Sequence, residues 1–151
     1  VAVSGLAFAQ ETVKPEQSKP NKPQLTEEQK ARMQEHRELF NIRLQIIKEE
    51  LKMSDEQFEK FAPIYHEYTK TLRFNHVRAP RLDWPNASKK EINEMLKARF
   101  DNTINTAMVR KNYILIFEEV INPRQLAKLY KIEDKLNARA REEFKKRQNQ
   151  Q

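Results

Sequence analysis

The stretch MSDEQFEKFAPIYHEYTKTL, residues 53–72, decides the fold of this chain. Its large apolar side chains recur at alternating intervals of three and four residues, at Phe58, Phe61, Tyr65, Tyr68 and Leu72. This spacing places them on one stripe of an α-helix. We interpret the stripe as core or dimer seam rather than as a binding groove, because aromatic residues at helical spacing most often pack inside. Pro63 lies within this helix and predicts a kink.

Four helix starts share one polar pattern. A Ser, Thr or Asn is followed three residues later by Gln or Glu at Thr26 and Gln29, Ser54 and Gln57, Ser88 and Glu91, and Asn122 and Gln125. In such a capping box the first side chain accepts a backbone N–H, and the second reaches back to the first residue's N–H. Pro123 strengthens the fourth start, because the first helical position needs no N–H. Capping explains these polar residues, so the motif alone predicts helix starts and no site.

Apolar periodicity predicts four helices over roughly 26–52, 55–77, 88–121 and 123–147. The first stripe contains Met33, Phe40, Leu44, Ile47 and Leu51. The third contains Ile92, Leu96, Phe100, Thr103, Ala107, Ile114, Phe117 and Ile121. The fourth contains Leu126, Leu129, Ile132, Leu136, Ala140 and Phe144. The only glycine is Gly5, so tight hairpins are disfavoured and the predicted class is all-α.

The N-terminal residues predict export. Residues 1–9 are apolar and end in Ala7-Phe8-Ala9, the cleavage pattern of a secretory signal peptide. Residues 10–24 hold three prolines and no aromatic residue, which predicts a disordered tether before a helical domain at 25–151. No other run approaches the ~18 apolar residues of a membrane span. These features predict an exported mature protein without a transmembrane span.

Positive charge is concentrated beside the long connection RAPRLDWPNA, residues 78–87. The chain has a net charge of +7, and residues 69–99 contain eight basic and three acidic residues. Apolar and basic side chains alternate there, which is typical of a surface that attracts another protein while making dispersed contacts. We therefore predict client contact at Arg73, Phe74, Arg78, Arg81, Trp84, Lys89 and Lys90. Nucleic acid is a candidate partner only if residues 1–9 are not a leader.

Catalysis is not expected. The chain has no cysteine, and its four serines lie in the leader, the tether and the helix starts, without a Gly-x-Ser-x-Gly elbow. A di-iron bundle requires Glu three residues before His, whereas Met33, Pro63 and Arg73 stand before the three histidines. We predict no catalytic residue and no cofactor.

Metal binding has a weaker basis in the sequence. His66 and His76 are ten residues apart and would lie about 80° apart around a helix, unlike an i, i+4 clamp. Exposed histidines are therefore favoured over ligands, and no metal site is predicted. Metal sensing with a membrane-bound signalling partner remains the alternative function.

Two of the capped starts also carry a family resemblance. Met53-Ser54-Asp55-Glu56-Gln57 and Ile121-Asn122-Pro123-Arg124-Gln125, within a glycine-poor basic helical chain, resemble the paired motifs of the periplasmic Spy/CpxP family of LTxxQ proteins. The resemblance covers about residues 25–147. It implies four helices in an antiparallel hairpin bent into a cradle, and a homodimer. It also implies an ATP-independent chaperone or an accessory protein of envelope-stress signalling, or, in a related branch, a metal sensor.

Overall fold

The computed structural model describes residues 23–150, and this part of the chain is all-α. Its helices are α1 (Glu27–Glu50), α2 (Asp55–Phe74), α3 (Lys89–Glu118) and α4 (Pro123–Asn149), with a short 3-10 turn at Trp84–Asn86. The predicted all-α class and the four helices are confirmed. The leader predicted at 1–9 and residues 10–22 of the tether predicted at 10–24 lie outside the described residues. The antiparallel cradle and the dimer stay predictions.

Internal contacts divide the chain into two units, residues up to His36 and residues from Arg37 onward. In the first unit the start of α1 is capped as predicted, because Thr26 Oγ1 accepts the Gln29 N–H at 3.2 Å and Gln29 Oε1 accepts the Thr26 N–H at 2.9 Å. Every described residue of this unit is exposed, Met33 included. Met33 was expected on the apolar stripe, and this expectation is wrong because the described part of its unit contains no core.

The helix starts of the second unit follow the predicted caps with one exception. The boxes Ser88–Glu91 and Asn122–Gln125 are complete, and Pro123 occupies the first turn of α4. At α2 only half of the box forms: Ser54 Oγ accepts the Gln57 N–H at 3.1 Å, but the Gln57 side chain does not return to Ser54. It bonds elsewhere, as described below. α2 continues without interruption through Pro63, and the kink stays a prediction.

Without glycine, the turn between α1 and α2 uses Lys52. Its φ of 51° is the left-handed conformation that usually favours glycine. The Met53 N–H bonds the Lys48 carbonyl at 3.0 Å, and the Lys52 N–H bonds the Glu49 carbonyl at 3.1 Å. These two bonds form a Schellman motif, which satisfies the last carbonyls of α1.

The core lies where all four helices contribute apolar side chains. Its buried members are Leu44, Ile47, Leu51, Met53, Phe61, Tyr65, Tyr68, Val109, Phe117, Ile121, Leu126, Leu129 and Ile132. The aromatic stripe of α2 lies at its centre, with Phe61 stacked on Tyr65 and on Phe117 at centroid distances of 5.4 and 5.8 Å. The interpretation of this stripe as core is confirmed. A binding groove along it is excluded, because these rings are covered by the chain itself.

The stripe predicted for α3 is largely wrong. Phe117 and Ile121 are buried, but Leu96, Phe100, Thr103, Ala107 and Ile114 are exposed. The buried residues within α3 are Ala98, Val109 and Phe117, and of these Val109 and Phe117 belong to the core. α3 carries apolar residues on two sides, and Phe100, Ile104, Met108 and Leu115 lie roughly 150° around the axis from its buried residues. A single periodic stripe therefore does not describe this helix.

The stripe of α4 holds only in its first half. Leu126, Leu129 and Ile132 are buried and Leu136 is half-buried, whereas Ala140 and Phe144 are exposed. The residues of α4 beyond position 138 are all exposed in the described chain, so its last apolar side chains have nothing to pack against.

Candidate functional site

Three features are candidates for function: a buried carboxylate, a pair of motif glutamines, and an exposed basic and apolar surface. The first two belong to the packed interior of the second unit. The third comprises the connection from α2 to α3 and one face of α3. Their contacts separate structural roles from binding roles.

The buried carboxylate belongs to Glu133, which is 2% exposed at the centre of α4. Tyr68 donates a hydrogen bond to Oε1 at 2.7 Å, and Tyr65 donates one to Oε2 at 3.1 Å. Arg110 pairs with Oε1 and Arg43 with Oε2, each at 3.6 Å. Each helix thus contributes at least one group, and the two carboxylate oxygens are held by matching Tyr–Arg pairs.

The surrounding contacts close this cluster. Arg43 also donates to Tyr65 Oη at 2.9 Å and to Asn137 Oδ1 at 3.2 Å. Arg110 donates to Asp134 Oδ1 at 2.9 Å and lies over the Tyr130 ring, 5.0 Å from its centroid. Among residues 23–150, no buried side-chain nitrogen or oxygen lacks a hydrogen-bond partner.

Burial changes the acid–base properties of the cluster. It raises the pKa of the Glu133 carboxyl above its usual range, although the Tyr68 hydrogen bond and the Arg110 and Arg43 charges oppose the rise. Burial, with the nearby Glu133 charge, also raises the pKa of Tyr130 to about 12 and the pKa values of Tyr65 and Tyr68 still further. The four polar partners engage both oxygens of Glu133, so the arrangement joins helices and presents no free group to a substrate.

Glu133 was not predicted from the sequence. A signal was present, because position 133 lies on the same face as Leu126 and Leu129. A charged residue in the middle of an apolar stripe indicates a buried ion pair or hydrogen-bond network.

The glutamines of the two family motifs contact each other, and we name this pair the glutamine clasp. Gln57 Nε2 donates to Gln125 Oε1 at 3.0 Å and to the Val120 carbonyl at 2.9 Å. Gln125 Nε2 donates to the Leu51 carbonyl at 3.1 Å. The clasp joins the start of α2, the α3–α4 turn and the end of α1. Capping therefore does not explain these glutamines completely, and that part of the prediction is wrong.

The remaining motif residues have structural roles. Met53 and Ile121 are buried beside the clasp, and Ser54, Asn122 and Pro123 form the helix starts. Met53 and Ile121 are therefore unavailable to a partner, whereas the capping residues Ser54, Asn122 and Pro123 are exposed.

The connection from α2 to α3, residues 73–90, is here called the basic tip. It contains all seven predicted client-contact residues, and all seven are exposed. Phe74 is 90% exposed and Trp84 is 63% exposed. The tip is fixed to α3, because Asn102 bonds both the N–H and the carbonyl of Val77 at 2.7 and 2.8 Å.

Two adjoining open grooves bring some of these residues together. One, of about 540 Å³, is lined by Arg78, Arg81 and Lys97 together with Val77, Ala79, Pro80, Glu94, Ala98 and Asp101. The other, of about 510 Å³, is lined by Lys89, Lys90, Asn93, Glu94 and Lys97. Arg73, Phe74 and Trp84 lie outside both grooves. Each lining contains three cations, and Val77 is the only large apolar side chain in either lining.

Next to the tip, α3 presents an exposed row that we call the apolar face: Phe100, Ile104, Met108 and Leu115. Phe100 was expected on the apolar stripe of α3, and the other three residues were not predicted to bind a partner. In monomeric soluble proteins, contiguous exposed apolar residues of this kind mark interaction sites.

The histidines show no ligand geometry in the described chain. Within residues 23–150, no three His, Cys, Asp or Glu side chains are grouped so that they could hold a metal ion. His66 lies 3.7 Å from Glu67 and edge-on to Phe40. No helix of this range is long and apolar enough to cross a membrane.

Comparison with known proteins adds no relative. No protein-family profile, no curated protein and no solved structure matches the chain. The resemblance to Spy/CpxP proteins therefore depends on the two motifs alone.

Proposed function

We propose that the protein is a periplasmic, ATP-independent chaperone-like or envelope-stress accessory protein, and not an enzyme. It would bind unfolded or partner proteins through its apolar face and basic tip, and it would act as a homodimer. The observation that carries the proposal is the apolar face of α3, where Phe100 is 67% exposed and the other three residues are each more than half exposed.

The shape of this face suits extended chains. The four residues follow one side of a single helix over 15 positions, or about 22 Å at 1.5 Å per residue. A row without a deep pocket offers dispersed contacts to many apolar segments and selects none of them strongly. Such contacts let a client bind while it remains mobile.

The basic tip supplies long-range attraction beside this face. Arg78 and Arg81 make no hydrogen bond or ion pair with any residue from 23 to 150, so their charges are free to act on a partner. Attraction of this kind raises the association rate and weakens with salt. We propose that Arg73, Phe74, Arg78, Arg81, Trp84, Lys89 and Lys90 contact the client's acidic segments.

The test is aggregation of a chemically unfolded protein, measured by light scattering without ATP at equimolar protein. We expect wild type to suppress scattering and Phe100→Ser with Ile104→Ser to lose most of the suppression. The matched control is Phe144→Ser, since Phe144 is 59% exposed but lies near the end of α4. No suppression by wild type, or equal loss in the control, would contradict the proposal.

Metal sensing is tested separately. No specific observation favours it, but calorimetric titration of the protein with Zn²⁺ or Ni²⁺ would detect micromolar binding. A heat of binding abolished by His66→Gln would support the sensor function over the chaperone function.

A further inference from the structure

The basic tip has features that client binding does not require. It combines two aromatic side chains that project into solvent with a cluster of cations. Phe74 and Trp84 lie outside the grooves, whereas every cation of the tip except Arg73 lines one of them. We propose that the tip docks the protein on an anionic lipid bilayer, with lipid phosphates in the two grooves and Phe74 and Trp84 in the headgroup region.

Charge is the first argument. Residues 73–90 contain five basic residues and a single acid, Asp83. The Asp83 carboxylate accepts a hydrogen bond from Asn86 Nδ2 at 2.7 Å. The Asp83 carbonyl accepts one from the Asn86 N–H at 3.0 Å. The acid is thus engaged within its own turn, while Arg78 and Arg81 make no polar contact in the described chain. Clusters of basic residues bind anionic membrane surfaces, and each Lys or Arg raises the binding affinity about fivefold.

The aromatic residues are the second argument. Trp and other amphipathic aromatics concentrate at the membrane–water interface, where one side is apolar and the other is hydrated. Phe74 ends α2, and Trp84 begins a 3-10 turn that has Pro85 in its first turn. A side chain as exposed as Phe74 contributes little to the core, so its exposure is unexplained by folding.

Rigid presentation is the third argument. Asn105 Nδ2 donates to the Asn75 carbonyl at 2.8 Å, in addition to the two bonds between Asn102 and Val77. These bonds hold the start of the connection against α3. A fixed tip loses less conformational entropy when it docks than a disordered loop does.

A lipid surface fits the grooves of the tip better than an apolar protein segment does. The groove linings contain no large apolar side chain beyond Val77, so they offer little to an apolar peptide. They offer several cations at once to closely spaced phosphates, although Glu94 and Asp101 reduce the local positive charge. The apolar face of α3, by contrast, suits a peptide. This inference goes beyond the proposed function and does not depend on it.

Trp84 is the only tryptophan of the chain, so its fluorescence reports the tip directly. The full chain is titrated with vesicles of phosphatidylcholine alone, or of phosphatidylcholine mixed with phosphatidylglycerol, at 0.1 M salt and below. We expect a shift of the emission to shorter wavelength with the anionic vesicles only. Brominated acyl chains should quench it. No shift with anionic vesicles, or an equal shift with neutral ones, would overturn the proposal.

Matched variants assign the binding to the tip, with vesicle co-sedimentation as the measurement. Arg78→Gln with Arg81→Gln should weaken binding on the order of 20-fold. Phe74→Ser should weaken it by roughly tenfold. Arg124→Gln with Lys131→Gln, the same change in charge on the first half of α4, should change it less than about twofold. Equal loss in both charge variants would overturn the proposal.

A soluble acidic protein separates the two partner classes. If an unfolded acidic client shifts Trp84 emission while anionic vesicles do not, the tip binds protein and the lipid proposal is wrong. If the chain binds vesicles but fails to suppress aggregation, the lipid proposal stands and the proposed chaperone function fails.

Discussion

The two ends of α2 have opposite character. At its start and middle, the glutamine clasp and the Glu133 cluster bond polar groups to one another across all four helices. At its end, the basic tip turns cations and aromatic rings toward solvent. Polar residues at the first end stabilise the fold, whereas those at the second are free to meet a partner. Stability and the proposed binding surface thus lie at separate parts of α2.

The largest expected effect is at Glu133. Its replacement in Glu133→Ala removes the carboxylate from two tyrosines and two arginines and leaves a cavity, so the free energy of unfolding should fall by about 3 kcal/mol. Urea denaturation followed by circular dichroism measures this change. The control is Glu142→Ala on the exposed part of α4, which should stay within about 0.5 kcal/mol of wild type. Similar stabilities for both variants would show that the cluster is not structural.

The clasp predicts a graded effect among three glutamines in equivalent motif positions. Gln125→Ala should lower the free energy of unfolding by about 2 kcal/mol, because it removes hydrogen bonds to three groups in a half-buried site. Gln57→Ala should lose about 1.5 kcal/mol, and Gln29→Ala, which has only its exposed cap, less than about 0.5 kcal/mol.

A double-mutant cycle sharpens the same prediction. Gln57 and Gln125 contact each other directly. The stability loss of the double variant should therefore differ from the sum of the two single losses by about 0.5–1 kcal/mol. Additive losses would mean that each glutamine acts only through its backbone partners.

A smaller effect is expected at the glycine-free turn. Lys52→Gly should raise the free energy of unfolding by about 1 kcal/mol, because glycine adopts the left-handed conformation without steric strain. The same substitution at Lys60, inside α2, is the matched control and should lower stability by about 1 kcal/mol. A loss at both positions would show that the Lys52 side chain stabilises the turn.

The smallest effect on stability is expected at the tip. Arg78→Gln with Arg81→Gln should change the free energy of unfolding by less than about 0.5 kcal/mol, since neither side chain has a polar partner among residues 23–150. Thermal denaturation with and without added salt is the measurement. A large loss would make the tip part of the folded framework and would remove the contrast between the two ends.

Much of the fold follows from the sequence, and the failures have identifiable causes. Periodicity and caps predict the four helices because the stripe of α2 and the helix-starting boxes act locally. The stripe predicted for α3 was wrong because Phe100 and Val109 lie on different faces of the helix. Tertiary contacts decide which of these faces is buried. The role of Gln57 depends on Val120 and Gln125, which are distant in sequence. Only the packing of the helices brings such residues together.

Charge and composition predicted client contact at the tip. Its seven residues are exposed, and client contact there stays a prediction. The apolar face was missed because an apolar residue at helical spacing was taken for core. Exposure of such residues is visible only once the other helices are placed.

The central claim is that partners bind at the tip and the apolar face, and not at the clasp. Hydrogen–deuterium exchange of the protein with and without an equimolar unfolded client, in the absence of ATP, tests it most directly. We predict slower exchange across residues 73–115 when the client is present, and unchanged exchange at 51–57 and 120–126. Protection confined to the clasp, or no protection anywhere in the chain, would contradict the account.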